Sequence, residues 1–211
     1  LQQNLIKERL QQMNISLIAI DEAHCISRWG HDFRPAYLNC SVLRDLKPST
    51  PIIALTATAT NQTRADILSY LKLKEPFIAF DSFERKNLEL SVKVTNDKRY
   101  QLKRLLHPGE SAIVYVGSRM NSEVLSRFLN ENGFAADFFH GGLPSQKKQE
   151  KLDAWLTGAI DVMVATNAFG MGIDKSDVRT VVHHRFAQSL EEYFQEIGRA
   201  GRDGKTASVC L

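Results

Sequence analysis

Short apolar runs at 17–20, 51–55, 77–80, 111–116, 135–139, 161–165 and 179–183 alternate with stretches of helical period at 61–72, 97–106, 119–132, 145–157 and 189–197. No other feature narrows the fold as much. Apolar runs without polar alternation suit strands covered on both faces, and strand–helix alternation implies parallel sheets with right-handed crossovers. The chain therefore reads as α/β, and the ligands of such sheets sit at the carboxyl ends of the strands. Within 119–132, Val124, Leu125, Phe128 and Leu129 draw an apolar stripe, and Gly133 supplies the stop. Leu152, Trp155 and Leu156 give 145–157 its buried face, which assigns Trp155 to the core.

With 211 residues, 43% of them hydrophobic, and no apolar stretch of spanning length, the chain has room for one large domain or two small ones and needs no membrane. A polar stretch at 81–87, broken only by Phe83, follows the run at 77–80 and divides the chain into residues 1–80 and 88–211. A formal charge of +3 is compatible with nucleic acid and too small to argue for it. Cys25, Cys40 and Cys210 lie far apart and form no C-x-x-C pair, so a reducing, intracellular setting is the default.

Three segments carry chemistry. Asp21-Glu22-Ala23-His24 follows the apolar run 17–20, which puts two carboxylates where a buried strand ends. An Asp there can hold Mg²⁺ and a neighbouring Glu can orient or deprotonate an attacking water, although a solvated acidic turn has the same local sequence. Next, Trp29, His31, Phe33 and Tyr37 are interleaved with Arg28, Arg34 and the breakers Gly30 and Pro35. Aromatics among arginines suit stacking on bases and contact with phosphates; equally, Trp29 and Phe33 can be core under a long loop, and His31 a structural histidine. Finally, Arg199 and Arg202 stand three apart, so one helical turn brings both guanidiniums to one side, where they can clamp charge on a transferring phosphoryl group or pair with Glu196 and Asp203 at a surface turn.

The segment from Asp21 through Cys25-Ile-Ser-Arg-Trp-Gly-His-Asp-Phe-Arg-Pro35 resembles motif II and the aromatic-rich loop of RecQ-family DNA helicases. The other motifs follow in the family's order. Ala54 to Thr60 is similar to motif III, Ser82 to Leu88 to the interlobe junction with Lys86 in place of the usual proline, and Ile113 to Arg119 to motif IV. Phe139 to Leu143 resembles the next loop, Ala165 to Asp174 motif V, and Gln195 to Gly204 motif VI. His184-Arg-Phe-Ala187 departs from the acidic and proline residues common there.

The resemblance implies two RecA-like lobes with parallel sheets, the first incomplete (1–80), joined through 81–87 to a nearly entire second lobe (88–211). It implies an ATP-dependent DNA helicase that uses ATP and Mg²⁺ and acts on single-stranded or partly unwound DNA, with no membrane role. Asp21 would hold the metal, Glu22 the attacking water, and Arg199 and Arg202 the γ-phosphate. Gly172, Asp174 and Gln195 would also touch the nucleotide. Trp29, His31, Phe33 and Arg34 would sense DNA, with His24 and Thr56 to Thr58 as the link, and Ser118, Arg119, Thr166 and Asn167 would contact its backbone. The phosphate-cradling pattern G-x-x-x-x-G-K-[ST] is missing: Gly204-Lys205-Thr206 fails it because Arg199 occupies the position of the first glycine. The family places that loop before DEAH, so the chain is expected to be a fragment without activity of its own. A DEAH-type RNA helicase and a catalytically silent binding module are the alternatives.

Overall fold

The computed structural model describes residues 4–27, 33–57, 59–80, 82, 84–170 and 173–211. The chain divides into two units, Leu1–Asp81 and Ser82–Leu211. In the first, α1 (Asn4–Gln12) precedes β1 (Ile18–Ile20), a 3₁₀ turn (Ala23–Ile26), α2 (Pro35–Leu38), α3 (Val42–Leu46), β2 (Ile52–Ala54) and α4 (Asn61–Tyr70). The strands β1 and β2 pair in parallel, Ile18 opposite Ile52 and Ile20 opposite Ala54. Ile20, Ala23, Ile26, Ile67 and Leu71 form the small core beneath them. Helix α4 begins where it does because the Thr60 hydroxyl accepts from the Thr63 N–H at 3.1 Å, satisfying one of the free donors of the first turn.

The apolar run at 77–80 forms no strand. Phe77 is 93% and Phe80 86% exposed. An apolar run becomes a buried strand only beside another strand, and the sheet of this unit holds β1 and β2 alone among the described residues.

The second unit contains β3 (Leu88–Ser91), α5 (Lys98–Leu105), β4 (Ala112–Tyr115), α6 (Arg119–Glu131), β5 (Ala136–Phe139), α7 (Ser145–Leu156), β6 (Val162–Ala165), β7 (Thr180–His183), α8 (Leu190–Ile197) and β8 (Ala207–Cys210). Its six strands are all parallel, in the order β3-β8-β7-β4-β6-β5. Every residue of β4, β6 and β7 is buried, as strands covered on both sides must be. Alternate side chains feed two cores. Ile113, Tyr115, Met163, Val181 and Val209 meet Trp155, Phe169 and Ile197 on one face, and Ala112, Val114, Val162, Val164 and Val182 meet Leu102, Leu125 and Leu129 on the other.

Trp155 is fully buried and meets Phe169 edge-on, ring centroids 5.3 Å apart. Two residues of the expected stripes lie at their margins instead: Val124 is 42% and Leu156 39% exposed. Strands β3 and β8 go beyond the runs visible in the sequence, because Leu88-Glu-Leu-Ser and Ala207-Ser-Val-Cys mix polar with apolar residues. Among the described residues no helix is long and apolar enough to cross a membrane.

Candidate functional site

In the first unit the acid pair stands at the carboxyl end of β1. The Glu22 N–H donates to Asp21 Oδ1 at 2.8 Å, and Glu22 adopts a left-handed backbone (φ 49°, ψ 42°), a conformation costly for a residue with a Cβ. The turn is held by Ala23 N–H donating to the Leu55 carbonyl just past β2, at 2.9 Å. His24 is buried; its Nδ1 lies 2.9 Å from Thr56 Oγ1 and 3.3 Å from Glu22 Oε2. One imidazole thus joins the acidic turn to the Ala54–Thr60 segment, 32 residues on. Phe33 and Arg34 are half-buried ahead of α2, and the Arg34 N–H donates to the Cys25 carbonyl at 3.0 Å, which ties the aromatic loop's exit to the same turn. Trp29, His31 and Thr58 lie outside the described residues. Among the described residues no group of three or more His, Cys, Asp or Glu side chains is placed to hold a metal.

In the second unit the expected residues gather at the carboxyl ends of β4, β6 and β7. Ser118 is the N-cap of α6, its hydroxyl accepting from the Asn121 N–H at 3.1 Å. The Arg119 guanidinium lies against Gly142, where an added Cβ would come within 2.7 Å of Nη1. Thr166 is half-buried and Asn167 exposed just beyond β6. Gly172 lies outside the described residues, and Gln195 is half-buried on α8.

Both arginines reach the Gly170–Asp174 segment and leave α8 by different routes. Arg199 donates through Nη1 to the Gly170 carbonyl and through Nε to the Tyr115 hydroxyl at 3.0 Å. That hydroxyl in turn donates to the Phe169 carbonyl at 3.2 Å. Burial pushes the Tyr115 hydroxyl well above the ordinary phenol range, so it stays a donor at any physiological pH. A Cβ at 170 would stand 2.8 Å from Arg199 Nη2, so a larger residue there would require that guanidinium to shift. Arg202, more exposed, donates to the Ile173 carbonyl at 3.1 Å and pairs with Asp174 at 3.0 Å.

Several supporting residues were not visible as such in the sequence. Arg85 and Asn87 donate to the Gly201 carbonyl at 2.9 and 2.8 Å, fixing the turn that carries Arg202. Glu196, 4% exposed, accepts from Arg185 at 3.1 Å and lies 2.8 Å from His183 Nε2. The one advance signal was Tyr115 itself, a polar tip inside an otherwise apolar strand, which must find a partner when buried.

The DEAD/DEAH box helicase model matches residues 1–67 and the helicase conserved C-terminal domain model residues 97–204, half of the chain. The chain is 43% identical over 204 residues to ATP-dependent DNA helicase RecQ of Pasteurella multocida, which covers 96% of it and 32% of that protein. It is 43% identical over 211 residues to ATP-dependent DNA helicase hus2/rqh1 of Schizosaccharomyces pombe, covering 98% of it and 16% of that protein. The chain belongs to the RecQ family of helicases. It spans 16 to 32% of the length of these two relatives. The structure of Saccharomyces cerevisiae Dbp5 bound to RNA and ADP BeF3 superposes with a TM-score of 0.75 at 22% identity, over 98% of this chain and 56% of that one, which shows the shared fold of RecA-like lobes. In this RecQ-family chain the acidic turn belongs to the first lobe and the arginine pair to the second, each at the carboxyl ends of parallel strands.

Proposed function

We propose that this chain serves an ATP-dependent DNA helicase, supplying the acid pair that acts on magnesium and water, the loop that senses DNA, and the arginine pair that acts on the γ-phosphate. The observation that supports it most is the His24 bridge: a buried imidazole 2.9 Å from Thr56 and 3.3 Å from Glu22 gives the acidic turn a physical connection to the rest of its lobe. Asp21 suits magnesium shared with a nucleotide. One oxygen is taken by the Glu22 N–H and the side chain is exposed, which fits an ion that keeps its waters and takes one or two carboxylates plus phosphates. Bound magnesium would neutralise charge on the β- and γ-phosphate oxygens. Glu22 would orient or deprotonate the attacking water, and Arg199 and Arg202 would stabilise charge on the transferring phosphoryl group.

Phe33, Arg34 and the neighbouring Trp29 and His31 would register a DNA strand and pass its occupancy to Glu22 through His24. Ser118, Arg119, Thr166 and Asn167 would hold the backbone of that strand in the second lobe, and Gly172, Asp174 and Gln195 would line the nucleotide. Such an enzyme works inside the cell, on single-stranded or partly unwound DNA.

The sequence contains no G-x-x-x-x-G-K-[ST] loop, which favours a second reading of these 211 residues in isolation as a nucleic-acid-binding module. The two are separated by placing a segment with a G-x-x-x-x-G-K-[ST] loop ahead of Leu1 and measuring ATP turnover with DNA, with RNA and without either. DNA-stimulated turnover abolished by Glu22→Gln supports the helicase. Equal stimulation by RNA would shift the substrate, and turnover indifferent to Glu22→Gln would overturn the assignment of the acid pair.

A further inference from the structure

The turn that carries Arg202 has little to hold it from within. Three of its seven residues, 198–204, are Gly198, Gly201 and Gly204, and the last two take a left-handed backbone, φ 56° and 79°. Glycine loses more conformational freedom on folding than any other residue, so such a segment keeps one shape only where bonds from elsewhere impose it. Arg202 itself contributes little to that. Its side chain ends on the Gly198 and Ile173 carbonyls and on the exposed Asp174.

The bonds that impose the shape come from the polar segment joining the two units. Arg85 Nη2 donates to the Gly201 carbonyl at 2.9 Å and to the Ala200 carbonyl at 3.3 Å. Asn87 Nδ2 donates to the Gly201 carbonyl at 2.8 Å and to the Lys205 carbonyl at 2.9 Å. Arg85 Nε also donates to Asn87 Oδ1 at 3.3 Å, so the two side chains fix each other. The carbonyls they hold lie before and after Arg202 in the chain.

The backbone completes the connection. The Asn87 carbonyl accepts from the Ala207 N–H at 2.9 Å, and Leu88 stands opposite Ala207 where β3 and β8 pair in parallel. The joining segment and the arginine turn thus enter the sheet side by side. Space at 201 is matched to this approach: an added Cβ would come within 2.5 Å of Asn87 Nδ2 and 2.7 Å of the Lys205 carbonyl. The second contact is with backbone, which does not yield cheaply. A guanidinium stabilises developing charge to the extent that it already stands in place, and a misplacement of about 1 Å can lower a rate by about 10²-fold.

We propose that Arg85 and Asn87 are positioning residues for phosphoryl transfer: they hold the 200–205 turn so that the Arg202 guanidinium is set for the γ-phosphate before charge develops. This role rests on the reading of Arg202 as a γ-phosphate ligand.

The first test is amide hydrogen exchange on the 211-residue chain. Asn87→Ala should speed exchange of the Gly201, Asp203 and Gly204 N–H groups, all bonded in this turn, by about 5- to 30-fold, the loss of one to two hydrogen bonds, with β4 and β6 unchanged. Exchange at the unaltered pace would show that the side chain does not hold the turn. The second test uses the chain with a G-x-x-x-x-G-K-[ST] segment ahead of Leu1. Arg85→Ala and Asn87→Ala should each lower kcat by about 10- to 100-fold with ATP affinity unchanged. Asn87→Asp, which keeps the volume but turns an oxygen on the carbonyls, should lose at least as much as Asn87→Ala. Leu102→Ala, in the core on the other face of the sheet, should lower the melting temperature and leave kcat unchanged. In an Arg202→Ala background, Asn87→Ala should lower kcat no further, because a residue that acts through Arg202 has nothing left to position. If Arg202→Ala turns over ATP nearly normally, the reading of Arg202 fails and its positioning residues with it. If Arg202→Ala is slow while the Arg85 and Asn87 variants keep their rate, or lose as much with Arg202 absent as with it present, Arg202 keeps its role and the positioning assignment is overturned.

Discussion

Arg199 and Arg202 share a motif and differ in how they are held. Arg199 is fixed by a buried tyrosine and a backbone carbonyl, whereas Arg202 reaches the Gly198 and Ile173 carbonyls and pairs with Asp174, whose side chain is 88% exposed. The less confined guanidinium can exchange its partner for a phosphate at small cost, since exposed ion pairs contribute only about 0–1 kcal/mol. Where a phosphate loop precedes the chain, Arg202→Ala should lower kcat by roughly 10³ or more with ATP affinity nearly unchanged, and Arg202→Lys should rescue poorly because it loses the planar fork. Single-turnover hydrolysis beside nucleotide binding checks this; near-normal hydrolysis by the Ala variant would move the role to Arg199. Tyr115→Phe should cost about 1–3 kcal/mol in chemical denaturation, because the Phe169 carbonyl and Arg199 Nε both lose a partner inside the lobe. His184 supplies a pH effect with a definite sign. Its folded pKa is depressed, chiefly by burial, so the unfolded chain binds the extra proton first. Its contribution to stability is present above the unfolded value of about 6.5 and is lost as pH falls through the lower folded value. His184→Phe should therefore flatten the fall in melting temperature on the acid side of pH 6.5, and an unchanged acid limb would show that His184 titrates normally.

At the scale of elements, one residue can belong to both architecture and recognition. Ser118 caps α6 and is also a proposed DNA contact. Ser118→Ala should cost about 0.5–2 kcal/mol of stability through the lost cap alone, so weakened DNA binding by that variant would be ambiguous. Ser118→Asn, which keeps an N-cap acceptor, should restore the melting temperature; DNA affinity that remains low in Ser118→Asn marks a direct contact, and affinity that recovers with stability marks a cap. Trp155 presents the opposite case. It is fully buried against Phe169 and Phe139 neighbours on one face of the sheet, and Trp155→Ala should destabilise the lobe by about 3–5 kcal/mol, read from the denaturation midpoint, with no separate effect on ligands.

The whole molecule is two units of unequal self-sufficiency. Among the described residues, the second has a six-stranded sheet with a core on each face, while the first has two strands and one small cluster. Residues 82–211 alone should therefore unfold cooperatively, with a calorimetric enthalpy equal to the van't Hoff value; a broad, non-cooperative transition would show that the second unit needs the first. The 211 residues as they stand should show ATP turnover no greater than their Glu22→Gln variant, since nothing in the sequence can cradle the β- and γ-phosphates.

The sequence by itself determined the α/β class, the parallel sheets and the family, because all three rest on local signals: apolar runs of strand length, helical period, and motifs of a few residues each. It also placed Trp155 in the core, where amphipathic spacing decides. What it could not supply were relations between residues distant in the chain. Whether 77–80 pairs as a strand depends on neighbours, and those residues form none here. Leu88–Ser91 and Ala207–Cys210, whose mixed sequences give no period, become strands because each gains a hydrogen-bonded partner 119 residues away. The links from His24 to Thr56, Tyr115 to Arg199 and Asn87 to Gly201 span 32, 84 and 114 residues. Such contacts exist only once parallel strands bring their carboxyl ends to one edge, so the chemistry that sequence names residue by residue becomes a site only when the sheet assembles it.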